Sequence, residues 1–464
     1  MALSRRPARA VAAPSRSTLA VGIGLVVACF VLYSLTRPAW QTVYNHFVWQ
    51  ADAYLHGQVS IRYPVPATGF LPGNDFFNDV VPVVDAAGNE TGRGMVPFPP
   101  LPAVVLLPLV AIWGMATDQA FLAVMLGALD VGIAFWLLGR LPIRAGPRAA
   151  LTAFVGAGTV LWYASSLGTT WFLAHVIAVG LTLASVAVAL DADDRARALD
   201  PGAPRPFLDR GQVLAGLLLG LAVTSRLTVV FGAVFLLFVG GGGSWTRRAA
   251  GAALGMAIPV GALLAYNLAV SGTLFNPVYE SLYRYEVWAY PELNYHAAWS
   301  LQDVRYIPQN LGIMLGGLAE VMPACDAGVP REIWSTAGCS WLVPRPVGMS
   351  LLLTSPAWLL AAAALPLLRD RRVAGGLLAT LVIGLVNLMH FSQGWVQFGY
   401  RFSLDFAPFL LVPTALGAEW LVARHGRGAT RRGLLIGGAV IGLLVAASVA
   451  VQAWGIAWAR TLGW

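Results

Sequence analysis

One acidic side chain in the first polar loop has the surroundings that proton transfer requires. Asp52 lies in the proline-free stretch 48–57, which predicts a short helix on the outer surface of a membrane. On such a helix Trp49, Asp52 and His56 share a face, because they are spaced at i, i+3 and i+7. A carboxylate partly desolvated by an aromatic ring is suited to accept a proton from a hydroxyl group. The alternative is a solvated acid or a helix cap without a chemical role.

A second pair of charged residues lies towards the other end of the chain. Arg401 and Asp405 are one helical turn apart at the predicted outer end of a membrane helix, and Trp395 and Gln397 precede them. Charges so close to hydrocarbon are costly, so they either pair or bind a ligand. Simple pairing is one interpretation, and a guanidinium that binds a lipid phosphate is the other. Arg226, which interrupts another apolar run, allows the same argument.

The composition places these groups in a membrane protein. Of 464 residues 58% are hydrophobic, and the mean hydropathy is +0.69. Runs of about 17 to 25 apolar residues recur, each long enough to cross a bilayer as a helix. The net charge of +8 does not indicate nucleic-acid binding, because the arginines lie in short clusters between apolar runs, where they set the orientation of the helices.

The pattern predicts a single polytopic, all-α membrane domain over residues 1–464, with about 11 transmembrane helices drawn from 11 to 12 hydrophobic segments. The excess of arginine predicts a cytoplasmic N-terminus, a cytoplasmic linker at 191–210, and two large extracytoplasmic loops at 36–98 and 271–348. The first loop is expected to carry short surface helices. We expect the plasma (inner) membrane, with the active face extracytoplasmic. The segments are residues 19–35, 99–115, 120–138, 149–166, 170–190, 211–225, 227–241, 249–270, 349–368, 373–390, 404–423 and 433–455.

One arginine cluster conflicts with this topology. If every segment crosses the membrane, Arg140, Arg144 and Arg148 fall outside the cytoplasm. This contradicts the rule that arginine-rich turns lie on the cytoplasmic side. Either the segment 99–115 does not cross fully, or residues 211–241 form one long tilted span. We prefer the first solution, because prolines make the helix at 99–115 irregular.

No motif for a metal or another cofactor occurs in the sequence, and none is expected. The six histidines show no close spacing of metal ligands, and no glycine motif for phosphate or dinucleotide binding is present. His175 lies in an apolar run and is expected to be a core residue. Cys325 and Cys339 fall in one extracytoplasmic loop, where a disulfide is plausible.

The layout resembles the C-type membrane glycosyltransferases, in particular the bacterial protein mannosyltransferase and aminoarabinose transferase families. The shared features are a cytoplasmic N-terminal anchor, an early acid in a large first outer loop, a Pro99-Pro100-Leu101 re-entry into the membrane, and the stretches 266–279 and 395–408. The resemblance covers most of the chain.

That resemblance implies transfer of a sugar from a polyprenyl phosphate carrier to a hydroxyl acceptor outside the cytoplasm, with inversion. Asp52 matches the family's loop acid, as the base, and Arg401 would hold the donor phosphate. Ala53 stands where many relatives have a second acid, which Asp75 or Asp79 could supply instead. The implied partners are a polyprenyl-phosphate-linked sugar, a lipid, glycan or protein acceptor, and membrane lipids, with no nucleic acid. The expected substrate-binding residues are His56, Asp75, Asp79, Trp395, Gln397, Arg401 and Asp405.

Two other functions are compatible with the sequence. A transporter or flippase of lipid-linked sugars predicts ionisable residues deep in several helices and some repeat symmetry. The charges here gather instead on one side of the membrane. A non-catalytic cell-envelope assembly protein, whose loops bind polymers without chemistry, is the third possibility.

Overall fold

The structure is a computed structural model. Trp395 and Cys325, both named above, lie outside the residues it describes, so the expected disulfide stays a prediction. The described residues are 15–38, 44–68, 73–75, 79–199, 206–278, 280, 299–321, 331–332, 339–394, 397–425 and 431–461.

Every hydrophobic segment predicted from the sequence is helical. Among the described residues, seven helices are long and apolar enough to cross a membrane, and a pair bent by 44°, Ala145–Ala157 with Leu161–Leu167, would make eight. Four shorter apolar helices account for the remaining segments. Helices form because a segment in hydrocarbon must satisfy its backbone hydrogen bonds internally. The predicted class, an all-α polytopic membrane protein, is confirmed.

We number the α-helices in chain order. The short apolar helix Pro356–Leu367 is 3₁₀, and so is Leu227–Gly232, the first half of the short apolar helix Leu227–Phe238. The α-helices are α1 (Arg16–Thr36), α2 (His46–Leu55), α3 (Leu101–Trp113), α4 (Gln119–Leu138), α5 (Ala145–Ala157), α6 (Leu161–Leu167), α7 (Thr170–Ala198), α8 (Arg210–Val223), α9 (Ala233–Phe238), α10 (Trp245–Ser271), α11 (Ile307–Gly316), α12 (Leu351–Thr354), α13 (Arg371–Leu388), α14 (Ser403–His425) and α15 (Arg431–Thr461).

Helix α7 is the centre of the bundle. Of its apolar window 83% is buried, against 17% for α1 and 22% for α10, which therefore present most of their surface to lipid. The helix ends at Ala198, inside the predicted linker 191–210. It continues past residue 190 because its acids have partners there: Asp191 pairs with Arg140, and Asp193 pairs with Arg197 and Arg371.

The helix ends gather at two opposite faces. At the first, which we call the loop face, Arg37 after α1 pairs with Asp118 before α4 at 2.8 Å. The carbonyl of Tyr44 accepts hydrogen bonds there from the amide of Thr170 and the side chain of Gln119. At the second, which we call the arginine face, further ion pairs join different helices. These are Arg140–Asp191 (3.1 Å), Arg144–Glu419 (2.7 Å) and Arg371–Asp193 (3.0 Å).

Helix α3 begins and ends at the loop face. The amide of Leu101 donates to the carbonyl of Thr224 at the end of α8, while Asp118 at the far end of the segment pairs with Arg37. Its 13 residues span roughly 20 Å, less than the ~30 Å hydrocarbon core. These contacts agree with the solution we preferred above, in which the segment 99–115 does not cross the membrane fully. Arg140 and Arg144 then lie at the arginine face with the other basic turns.

The first loop folds into one helix and a small antiparallel sheet. The strands β1 (Ile61–Arg62), β2 (Val81–Val84) and β3 (Glu90–Met95) pair in the order β1-β3-β2, with Ile61 opposite Gly94 and Val81 opposite Met95. Helix α2 has seven buried residues of its ten, because α3 packs against it. The first loop therefore carries a short helix, as predicted, and the apolar side of α2 is covered by protein. The second loop carries the short pairs β4 (Glu320–Val321) with β7 (Leu342–Val343) and β5 (Arg331–Glu332) with β6 (Cys339–Ser340).

Cysteine accessibility tests the path of α3. In a background of Cys325→Ser and Cys339→Ser, we expect Ala87→Cys and Ala116→Cys to react with an impermeant maleimide from one side of sealed membranes. Gly146→Cys should react only from the other side, since all three positions are exposed and only Gly146 follows a complete crossing by α4. A crossing α3 would instead make Gly146→Cys react from the same side as Ala87→Cys.

Candidate functional site

Asp405 carries a buried carboxylate in the first turn of α14, at the loop face. Arg226 donates to both of its oxygens, with Nε 3.1 Å from Oδ1 and Nη2 3.0 Å from Oδ2. Thr228 Oγ1 donates to Oδ2 at 2.7 Å, and Asn387 Nδ2 donates to the same oxygen at 3.3 Å. His175 Nδ1 lies 3.1 Å from Oδ1. These contacts offset the cost of placing a charge inside a membrane protein.

The backbone around Arg226 explains how its side chain reaches Asp405. Helix α8 ends at Val223, and Arg226 has an extended conformation with φ of −140° before the 3₁₀ stretch begins at Leu227. The break lets the guanidinium turn away from the helix axis towards α14. In the sequence Arg226 interrupts an apolar run, and that polar interruption is the signal that points to it.

Arg226 and Arg401 lie against the same aromatic ring. The guanidinium carbon of Arg226 is 5.4 Å from the centroid of Phe402, and that of Arg401 is 5.3 Å from it. Arg401 is also 5.3 Å from the ring of Phe172 on α7. At these distances both cations gain from the negative face of an aromatic ring. The structure therefore brings two arginines, far apart in sequence, to one point on the loop face.

The first two turns of α7 contact both the first loop and the arginine pair. Thr170 is bonded to His46 of α2, with 2.8 Å between Oγ1 and Nδ1, and Trp171 donates from Nε1 to Asp79 Oδ2 at 3.0 Å. The ring of Phe172 lies against the guanidinium of Arg401. His175 lies beside Asp405. Both Asp79 and Asp405 are buried, whereas Asp75 is exposed. Their predicted roles in substrate binding stay predictions.

Asp52 lies on α2, six residues after His46, which is about 9 Å along the helix axis. Its side chain is 33% exposed, and its Oδ1 is 3.8 Å from His56 Nδ1. The predicted common face is divided, because Trp49 is buried while the His56 side chain is 72% exposed. The reason is that α2 ends at Leu55 and His56 follows as its C-cap, with its ring bonded to the carbonyl of Asp52. Asp52 as the base therefore stays a prediction.

His46 has a defined protonation state. The hydroxyl of Thr170 donates to the carbonyl of Tyr44 at 2.6 Å, so His46 Nδ1 must be the donor in its bond to Thr170. Burial lowers the pKa of His46 from 6.5 to about 3, which keeps the ring neutral near pH 7. The site itself contains, among the described residues, no group of three or more His, Cys, Asp or Glu side chains placed to hold a metal.

Comparison with known proteins gives a match of fold. No protein-family model and no curated protein matches the sequence. The crystal structure of the apo oligosaccharyltransferase from Archaeoglobus fulgidus aligns with 96% of this chain and 56% of its own, with a TM-score of 0.54 and 12% identity. The structure of the archaeal oligosaccharyltransferase AglB from Archaeoglobus fulgidus, in complex with an inhibitory peptide and a dolichol-phosphate, aligns over the same shares, with a TM-score of 0.51 and 13% identity.

This chain shares the fold of that oligosaccharyltransferase. It spans just over half of the length of each of the two oligosaccharyltransferase chains described above. The resemblance to the C-type membrane glycosyltransferases, predicted from the sequence, is thereby confirmed as a resemblance of fold. ArnT from Cupriavidus metallidurans, bound to undecaprenyl phosphate, aligns with 97% of this chain and 77% of its own at 13% identity, but its TM-score of 0.48 adds nothing to the assignment.

Removing the buried anion should destabilise the fold. We expect Asp405→Asn to lower the free energy of unfolding by about 3 kcal/mol, because the substitution leaves Arg226 without its counter-charge in a buried site. Thermal unfolding in detergent measures the change. Glu320→Gln is the control, because Glu320 and its partner Arg345 are about half exposed and such pairs contribute about 0–1 kcal/mol. Equal effects of the two substitutions would contradict the role given to Asp405.

Because His46 is buried in its neutral form, we expect the free energy of unfolding to fall in acid. Since its pKa is about 3 in the folded chain and 6.5 ordinarily, the unfolded chain binds a proton that the folded chain does not. The contribution of neutral His46 to the stability of the folded chain is complete above pH 6.5, and it is lost progressively as the pH falls towards 3. His46→Asn keeps a donor for Thr170 but cannot titrate. We expect thermal unfolding of this variant to depend less on pH between 6.5 and 4 than that of the wild type.

Proposed function

We propose that the protein is a membrane glycosyltransferase that moves a sugar from a polyprenyl phosphate carrier to a hydroxyl acceptor on the extracytoplasmic side, with inversion. The loop face would then be extracytoplasmic, with the N-terminus in the cytoplasm and the chain in the plasma membrane. The shared fold supports this reading, and so does AglB, which is described in complex with a dolichol-phosphate. The acceptor is a lipid, glycan or protein that presents a hydroxyl group.

The pair of arginines beside Phe402 is the observation that carries the proposal. Guanidinium groups bind phosphate oxygens through two parallel hydrogen bonds, and that attraction is stronger where water is excluded. Arg401 is 9% exposed and Arg226 has 22% of its side chain exposed, so both are shielded from bulk water but not sealed from it. We assign Arg401 to the donor phosphate and Arg226 to the same anion, with Asp405 holding Arg226 in place.

Asp52 is the base that we propose. It withdraws the proton from the acceptor hydroxyl as that oxygen attacks the anomeric carbon from the face opposite the phosphate. The new carbon–oxygen bond forms, the bond from the anomeric carbon to the phosphate oxygen breaks, and the leaving polyprenyl phosphate keeps the electron pair. Arg401 and Arg226 stabilise the charge that develops on the phosphate. A carboxylate with 33% of its side chain exposed is open to an acceptor.

The remaining predicted residues have subsidiary roles in this proposal. Gln397 lies four residues before Arg401 in the sequence and would contact the sugar, and Trp395 would do the same. Asp79, which accepts from Trp171, would orient the first loop against α7. Asp75 and His56 are exposed and would meet the acceptor.

An assay of sugar transfer separates these roles. With a panel of polyprenyl-phosphate-linked sugars in membranes, we expect Asp52→Asn to lower kcat by roughly 10²- to 10⁴-fold with little change in KM, because only the proton transfer is lost. Asp85→Asn, in an exposed turn of the same loop, should retain full activity. Arg401→Ala should weaken binding of free polyprenyl phosphate by roughly 10- to 100-fold, whereas Arg144→Ala at the arginine face should not. Full activity of Asp52→Asn would remove the proposed base but leave the enzyme class.

One observation favours transport of a lipid-linked sugar as a second candidate. Asp130 lies in the middle of α4, is 3% exposed, and has an Oδ2 without a hydrogen-bond partner among the described residues. Acids at that depth are often part of a transport path. Movement of a lipid-linked sugar across vesicles that stops in Asp130→Asn, with no transfer to any acceptor, would support this second candidate.

A further inference from the structure

Two glutamines on the loop between α13 and α14 have buried oxygen atoms that the described chain leaves without a donor. Gln393 and Gln397 are both 0% exposed. Nε2 of Gln393 donates to the carbonyl of Asn387 at 3.0 Å, and Nε2 of Gln397 donates to the carbonyl of Val347 at 3.1 Å. Because a carbonyl can only accept, these bonds decide which end of each amide is the nitrogen. Both Oε1 atoms have no hydrogen-bond partner among the described residues.

A buried oxygen that receives no hydrogen bond from the protein usually accepts one from water or from a ligand. Most buried polar side-chain atoms are hydrogen-bonded to protein or water, so an orphaned acceptor requires an explanation. Here two occur four residues apart in one loop whose amide nitrogens are both anchored. Their nitrogen atoms fix the loop, and their oxygen atoms are left to bind something else.

Gly394 lies beside both Gln397 Oε1 and the guanidinium of Arg401. A Cβ atom placed on Gly394 would come within 2.6 Å of Gln397 Oε1 and 2.8 Å of Arg401 Nη2. Gln397 Oε1 and Arg401 Nη2 therefore both lie within 3 Å of one point beside the Gly394 backbone, so the acceptor and the cationic donor are neighbours, and a side chain at residue 394 would collide with both. A hydroxyl group is the ligand that matches such a pair, because it donates one hydrogen and accepts another.

We propose that Gln397, with Gln393 beside it, recognises a free hydroxyl group of the donor sugar, on the carbon next to the anomeric carbon. The hydroxyl donates to Gln397 Oε1 and accepts from Arg401. This inference rests on the proposed function, in which Arg401 binds the donor phosphate. The phosphate is attached at the anomeric carbon, so the 2-hydroxyl is the sugar group nearest to it and the one that the same guanidinium can reach. Donors that lack this hydroxyl are then poor substrates.

A comparison of donors tests the inference. Polyprenyl-phosphate-linked glucose, mannose and 2-deoxyglucose are the probes, and 2-deoxyglucose lacks the 2-hydroxyl of both hexoses. For the wild type we expect kcat/KM to be at least tenfold higher for the better hexose than for the 2-deoxy donor. In Gln397→Met this ratio should approach one. The ratio compares two donors on one preparation, so partial misfolding of a variant cancels from it.

Gln452→Met is the matched control. Gln452 is buried to the same degree and donates from Nε2 to the carbonyl of Thr354 and to Ser355, and its Oε1 is likewise without a partner among the described residues. It belongs to α15 and not to the loop of Arg401, so this variant should keep the wild-type ratio. An equal ratio in wild type and Gln397→Met, or a wild type that does not distinguish the donors, would overturn the hydroxyl site alone. Absence of transfer from all three donors would overturn the proposed function beneath it.

Discussion

The buried carboxylate of Asp405 is the constraint on which the loop face depends. A charge in a membrane protein is retained only where other groups replace the water it has lost. Here the replacement comes from Arg226 and Thr228 in one segment, from Asn387 in α13 and from His175 in α7. Satisfying one anion therefore fixes how α7, α13 and α14 meet the break after α8. The same arrangement leaves two guanidiniums beside Phe402.

The two polar loops are attached to this centre by different means. The first loop is tied through His46 and Asp79 to the start of α7. The second loop is tied through Gln302, whose Nε2 donates to His390 Nδ1 at 2.9 Å. Burial, helped by the charges of Arg226 and Arg401, lowers the pKa of His390 to about 3, so the ring stays a neutral acceptor for this bond. Both loops thus contact the elements that hold the arginine pair.

The arginine face has the opposite character. Its cations pair with nearby acids: Arg371 pairs with Asp193 of the neighbouring α7, and Arg197 pairs with the same acid within α7. These contacts join helix ends, and their guanidiniums remain partly exposed. Arginine thus has two uses in this chain. At both faces it joins helices, as Arg37 does with Asp118 and Arg371 with Asp193. At the loop face two arginines also share the ring of Phe402 beside a buried anion.

The sequence by itself determined the fold class, because apolar length is read directly from composition along the chain. It also predicted the helix around Asp52 and drew attention to Arg401 and Asp405, since charges in apolar surroundings are rare. It could not show that Asp405 is held by Arg226, which precedes it by 179 positions, because that contact follows from how the helices pack. For the same reason it did not show that α3 covers the apolar side of α2, or that His175 Nδ1 lies 3.1 Å from Asp405. Local pattern decided which segments are helices. Tertiary packing alone decided which polar groups share a site, because the partners of the buried anion come from three different segments.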